Sequence, residues 1–92
     1  MIDKNYKLII TKKAMKDLSK LDIQDAKKIV LWMNKNLSKC NNPRLLGKAL
    51  TGNKKDLWRY RVGNYRIIST IKDDVITIEV LTIGHRRLVY DK

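Results

Sequence analysis

The sequence predicts an α+β fold, a two-layer sandwich of order β-α-α-β-β-β in which an antiparallel β-meander is covered on one face by two helices. Three observations predict it. The run YKLIIT near the N-terminus is rich in aromatic and β-branched residues, as strands are. Two following stretches repeat apolar residues every three or four positions, the period of an amphipathic helix. From Leu57 onward the pattern changes to period two, broken by short Gly, Asn and Asp links. With 92 residues the chain has core for one domain, spanning 1–92.

Each element has a local cause. Tyr6 to Thr11 reads as the first strand, and the Thr11 hydroxyl can cap a helix running to about Lys20. Ala14, Met15, Leu18 and Leu21 make its apolar stripe. Asp22 and Asp25 favour a second helix start through the helix dipole, and Ile23, Ala26, Ile29, Val30, Met33 and Leu37 continue at helical spacing. The outer faces carry Lys12, Lys13, Lys16, Lys20, Lys27, Lys28 and Lys35, which read as a solvated surface. The next segment holds Pro43, Gly47 and Gly52 among polar residues, so it reads as a connection with at most a helical turn or an edge strand. Strands are then expected at 57–62, 65–72 and 75–83, joined by the links Gly63-Asn64 and Asp73-Asp74.

Two-residue hairpin links fix register. Val62 should face Tyr65, Arg61 face Arg66, Tyr60 face Ile67 and Arg59 face Ile68. In the second hairpin Ile71 should face Ile76, Ile67 face Val80 and Arg66 face Leu81. Alternation then puts Trp58, Tyr60, Val62, Tyr65, Ile67, Ile71, Ile76, Ile78 and Val80 on the core face, against the helices. The opposite face receives Arg59, Arg61 and Arg66, with Ile68, Thr70, Thr77, Glu79 and Leu81.

Charge narrows the function. Twenty-one Lys and Arg against nine acids leave a formal +12, a field that draws polyanions. The two cations are segregated. Ten of the 15 lysines precede Arg44, and five of the six arginines follow Trp58. Arginine's planar fork suits phosphate, so phosphate recognition is expected in the C-terminal half. A generically basic surface is the plain alternative. Cys40 stands alone, which excludes an internal disulfide and a cysteine-rich zinc site. The N-terminus lacks the apolar core of a signal peptide and no run approaches the roughly 18 apolar residues of a membrane span. A cytoplasmic protein with no membrane partner is expected.

Directly opposed Arg61 and Arg66 would hold β-carbons about 4.5–5.5 Å apart, a like-charge pairing that weakens a sheet. A phosphate between the guanidinium groups would turn repulsion into bidentate recognition. Neutralisation by Glu79 and solvent, or cover by an acidic partner protein, would serve as well. The third strand should deliver Gly84-His85-Arg86-Arg87 to the same end, and Gly84 permits a sharp change of direction there. His85 would then bring a ring that titrates near neutrality, and Tyr90 an aromatic plane of the kind single-stranded RNA stacks on. Arg87, with Lys54 and Lys55 before the strands, completes the candidate RNA-binding cations. There is no His/Cys cluster, Walker loop or Rossmann fingerprint, so neither metal nor cofactor is expected. RNA cleavage without a metal is chemically open, because the 2′-hydroxyl beside the scissile phosphate is the nucleophile. The protein has to orient it, stabilise charge on the phosphate oxygens and protonate the leaving 5′-oxygen.

The run LWRYRVGNYRII and the tail LTIGHRRLVY, in this element order, resemble the RelE branch of the RelE/ParE toxin superfamily over almost the whole chain. The resemblance implies the toxin of a type II toxin–antitoxin system, a ribosome-dependent and metal-independent endoribonuclease that cuts mRNA in the 30S A site. It implies a cognate antitoxin as partner, and operator DNA as a ligand of the toxin–antitoxin complex. By the same resemblance Arg66 matches the family's phosphate-stabilising arginine, and Arg86 the arginine assigned to charge stabilisation or leaving-group protonation. Tyr90 matches the tyrosine that stacks on the substrate. Arg59 and Arg61 stand where the best-known member has lysines, and guanidinium is a poor general base. Two other readings of the same residues stay open: a ParE-like non-enzymatic inhibitor of DNA gyrase, and a basic RNA-binding module.

Overall fold

A computed structural model describes residues 5–50 and 57–85. The order is β1 (Lys7–Ile10), α1 (Lys12–Ser19), α2 (Ile23–Asn36), β2 (Lys48–Ala49), β3 (Leu57–Val62), β4 (Tyr65–Lys72) and β5 (Thr77–His85). The strands form one five-stranded sheet in the order β1-β5-β4-β3-β2. The expected meander is its centre. Two strands extend it: β1 runs parallel to β5, and β2 is the edge strand that the Gly- and Pro-containing connection allowed.

The helices begin where their caps dictate. Thr11 is the N-cap of α1, its side chain accepting the Ala14 N–H at 3.2 Å while its own hydroxyl donates to the Val80 carbonyl at 2.7 Å. One residue thus starts the helix and ties it to β5. Ala14 and Leu18 of α1, with Ile29, Met33 and Leu37 of the second helical stretch, pack on Tyr60, Val62, Ile67, Ile78, Val80 and Ile83 of the sheet. Burying these side chains, at roughly 1.5–3 kcal/mol each for the larger ones, is the main force holding helices to sheet. Met15 and Ile23, assigned to the apolar stripes by spacing, are instead 56% and 69% exposed. They sit on the shoulder of each stripe, beyond the arc that the sheet covers.

The first hairpin has the expected register, Val62 opposite Tyr65 through Arg59 opposite Ile68. Gly63 takes φ 59°, the left-handed conformation that a two-residue hairpin turn needs at its first central position.

The second hairpin does not have its expected register. Its turn takes four residues, Asp73 to Ile76, because Asp73 is held from outside: Tyr6 Oη donates to it at 2.6 Å and Arg44 grips both its oxygens at 3.0 and 2.9 Å. The Ile76 N–H closes the turn on the Asp73 carbonyl at 3.3 Å. Strand β5 therefore begins at Thr77, and Ile71 faces Ile78 rather than Ile76. A bulge then intervenes: Ser69 pairs with Val80 but Ile68 pairs with Thr82, leaving Leu81 extra on β5. Beyond it Ile67 faces Ile83 rather than Val80, and Arg66 faces Gly84 rather than Leu81. The odd total shift moves Ile83 onto the core face.

Candidate functional site

The arginines come together by ladder geometry. Arg61, Arg66 and Gly84 form one row across β3, β4 and β5, and Arg59, Ile68 and Thr82 form a parallel row two residues further along. Residues directly opposite share a face, so both rows belong to the face opposite the core, with Thr82 at the sheet margin still reaching Asp17 of α1. Arg61 is exposed, Arg59 half-buried and Arg66 only 8% exposed. A buried guanidinium thus stands beside an exposed one. Gly84 adds no side chain to the row.

Glu79, the candidate neutraliser, belongs to the other end of the sheet. It pairs with Thr70 across the ladder and with Lys72 by an ion pair of 3.2 Å. Thr70 is four residues from Arg66, roughly 13 Å along a strand. Its charge is thus satisfied far from the arginine row.

His85 reaches the expected end of the sheet but a different row. It pairs with Tyr65, the neighbouring row to Arg66, and its ring meets the Tyr65 ring edge-on at 5.6 Å. Tyr65 faces the helices, donating from Oη to Asp25 of α2 at 2.8 Å, and this contact raises the phenol's pKa above its ordinary value. Successive rows point to opposite faces, so the imidazole lies on the helix side of the sheet while Arg61 and Arg66 lie on the other. The bulge is the cause. Lys54, Lys55, Arg86, Arg87 and Tyr90 lie outside the described residues.

Sequence reasoning overlooked two further features of this end. Asp17 of α1 accepts from Lys13 Nζ, Thr82 Oγ1 and the Ile83 N–H at 2.8–3.0 Å, filling the β5 edge where β1 has ended. Burial alone would raise its pKa, but the Ile83 N–H, Lys13 and Thr82 together hold it below the ordinary carboxylate value. It thereby positions the last residues before Gly84 and His85. Its i,i+4 spacing to Lys13 is visible in the sequence, but its reach to β5 is not. The second is Trp32, half-buried on α2, whose ring lies 5.7 Å from that of Tyr60. Its helical spacing gave no sign that it would stand beside Arg59 and Arg61.

Among the described residues no three His, Cys, Asp or Glu side chains converge as metal ligands would, and no helix is long and apolar enough to cross a membrane. Burial raises the pKa of the Cys40 thiol, which disfavours the thiolate. The arginine row suits recognition and charge stabilisation of an anion by guanidinium groups.

Comparison with known proteins defines the class. Residues 8–90 match the family described as the ParE toxin of the type II toxin–antitoxin system parDE. The toxin RelE of Mycobacterium tuberculosis is 33% identical over 88 residues, covering 96% of this chain and 89% of the relative. The toxin–antitoxin complex RelBE2 of the same organism contains a chain that superposes with a TM-score of 0.81 at 29% identity, covering 89% of this chain and 99% of that one. A chain of the archaeal RelE–RelB complex from Pyrococcus horikoshii gives 0.67 at 25%, covering 89% and 96%. Fold and comparisons together define a toxin of a type II toxin–antitoxin system. The chain belongs to the RelE/ParE superfamily, on the RelE branch.

Proposed function

We propose that the protein is an endoribonuclease that cuts mRNA in the ribosomal A site without a metal, and that a cognate antitoxin neutralises it. The observation that carries this reading is the Arg61–Arg66–Gly84 row: two guanidiniums opposed on one face, with no carboxylate in the row and a side-chain-free position beside them. In the proposed reaction the substrate's 2′-hydroxyl gives up its proton and attacks the adjacent phosphorus, forming a 2′,3′-cyclic phosphate as the bond to the 5′-oxygen breaks. The 5′-oxygen leaves as a hydroxyl, so the net change moves one proton from the 2′- to the 5′-oxygen. Arg66 stabilises charge on the phosphate oxygens, and Arg61 and Arg59 hold the flanking backbone. Arg86 supports the leaving group and Tyr90 stacks on a base. His85 sits one row away and on the other face of the sheet, so its part is played through the strand end rather than from within the arginine row. Lys54, Lys55 and Arg87 add backbone contacts.

The relatives support the partner as well. The M. tuberculosis and P. horikoshii neighbours are toxin–antitoxin complexes, and an antitoxin, operator DNA for the complex and a cytoplasmic location come to this chain with the same reading. The ParE description of the family favours a second reading, a non-enzymatic inhibitor of DNA gyrase. One experiment separates them. Purified protein added to a translation reaction should produce mRNA 5′ ends clustered within A-site codons, and Arg66→Ala should abolish them with the fold intact. Intact mRNA, with growth arrest and gyrase-dependent DNA damage in cells, would support the second reading instead.

A further inference from the structure

Strand β2 covers β3 only at Trp58 and Arg59, and among the described residues no strand flanks that margin beyond them. There the helix layer and the loop before β2 leave a cleft of about 350 Å³, lined by Trp32, Leu46, Gly47, Lys48, Arg59 and Arg61. The lining combines one indole, three cations and no carboxylate. Its volume lies at the lower end of ligand sites, from roughly 300 Å³ upward, which suits one nucleotide better than a folded segment. The back of the cleft is closely packed. Tyr60 is fully buried, donates from Oη to the Pro43 carbonyl at 2.6 Å, and supports the Trp32 ring at a 52° tilt. Gly47 sets the floor: a β-carbon there would collide with the Arg59 carbonyl and come within 2.9 Å of Trp58 Nε1 and Tyr60 Cδ1. Lys48 and Arg61 are exposed, and neither is in an ion pair with a described residue.

We infer that this cleft is a nucleobase subsite, in which Trp32 takes one base of single-stranded RNA while Lys48, Arg59 and Arg61 hold the flanking phosphates. Arg61 lines the cleft and also stands opposite Arg66, so a strand gripped at the arginine row continues around the β3 margin into it. Alternation of a π-face with cations matches alternation of base and phosphate along a single strand. The inference rests on the reading of RNA as the substrate and adds a specificity-determining position to it.

The test uses the full chain labelled with 5-fluorotryptophan, whose two resonances report Trp32 and Trp58 and are assigned with Trp58→Phe. Titration with a five-nucleotide single-stranded RNA should shift the Trp32 signal, whereas an abasic oligomer of equal charge should not. Trp32→Leu should weaken RNA binding about tenfold, Trp32→Phe much less, as expected for base–aromatic stacking. Lys48→Glu, at an exposed position, should weaken base-bearing and abasic oligomers alike. Equal Trp32 shifts with both oligomers, or shifts produced only by an acidic peptide, would overturn the subsite. The outcomes are separable from those of the nuclease reading. If the wild-type chain cuts mRNA but Trp32 ignores the base, the subsite fails and the nuclease stands. If Trp32 responds to the base but no mRNA is cut, the reverse holds.

Discussion

Arg61 and Arg66 stand directly across from each other on β3 and β4, one exposed and the other buried. Like charges in that position oppose sheet formation by roughly 0.2–1 kcal/mol, and no carboxylate shares their row to offset it. Opposed like charges of this kind cost a sheet stability, and under the proposed reading a bound polyanion offsets that cost. Arg61→Thr, which keeps a β-branched residue on the strand, should raise urea stability by about 0.5 kcal/mol. The same variant should bind single-stranded RNA more weakly, with a salt dependence shallower by about 0.7 in the logarithmic slope for the lost phosphate contact. Loss of stability together with loss of binding would mean that Arg61 is structural.

The row depends on the turn that sets its register. Gly63 has φ 59°, and a β-carbon there would meet nothing within 4 Å, so any penalty for replacing it is one of backbone conformation. Gly63→Ala should cost about 1–2 kcal/mol, the usual penalty for an L-residue in the left-handed region. Gly63→Asn should cost much less, because asparagine tolerates that region. Equilibrium denaturation of the two variants checks the order, and equal losses would point to a steric cause.

Much of this was legible in the residues, and the limits are physical. Alternation and a Gly-Asn link were enough to place Arg61 against Arg66, because a two-residue turn allows one register. The second hairpin misled because Asp73-Asp74 resembles a tight turn, whereas Tyr6 and Arg44, 67 and 29 residues away in sequence, hold Asp73 and lengthen it. The Leu81 bulge carries no local mark such as glycine or proline. It nevertheless decides that Gly84 rather than Ile83 lies beside Arg66, and that His85 joins Tyr65. Trp32 shows the same limit: helical spacing reports which face is apolar, not which partner of another layer will stand beside its rim.

Lys39 marks an improvement the fold leaves open. It is exposed, has φ 63°, and follows the last turn of α2, where the Ser38 N–H returns to the Met33 carbonyl at 3.1 Å. Glycine is the usual residue in such a left-handed position after a helix. Lys39→Gly should stabilise the protein by about 0.5–1 kcal/mol, the relief of left-handed strain less the entropy glycine loses on folding. A higher urea midpoint at unchanged slope would show it. A lower midpoint would mean that the lysine stem packs on its neighbours.

Asp17 links the pH dependence of folding to the strand end that delivers Gly84 and His85. Its side chain is 14% exposed, and its accepted hydrogen bonds come from Lys13, Thr82 and the Ile83 N–H. The folded state holds its pKa below the ordinary value despite burial, so the unfolded chain takes up the proton first as pH falls. The stabilisation is thus complete above the unfolded-state pKa of about 3.9 and is lost as pH drops through the lower folded-state value. At pH 7 Asp17→Ala, which strands the Ile83 donor, should lose about 1–2 kcal/mol. As pH falls below about 5 the gap between wild type and variant should shrink, because only the wild type has this carboxylate to protonate. A gap that stayed constant with pH would show that Asp17 acts through packing and not through its charge. If the chain cleaves RNA as proposed, cleavage by the variant should fall only as far as the strand end frays, so activity restored by lowering the temperature would separate a positioning role from contact with the reacting phosphate.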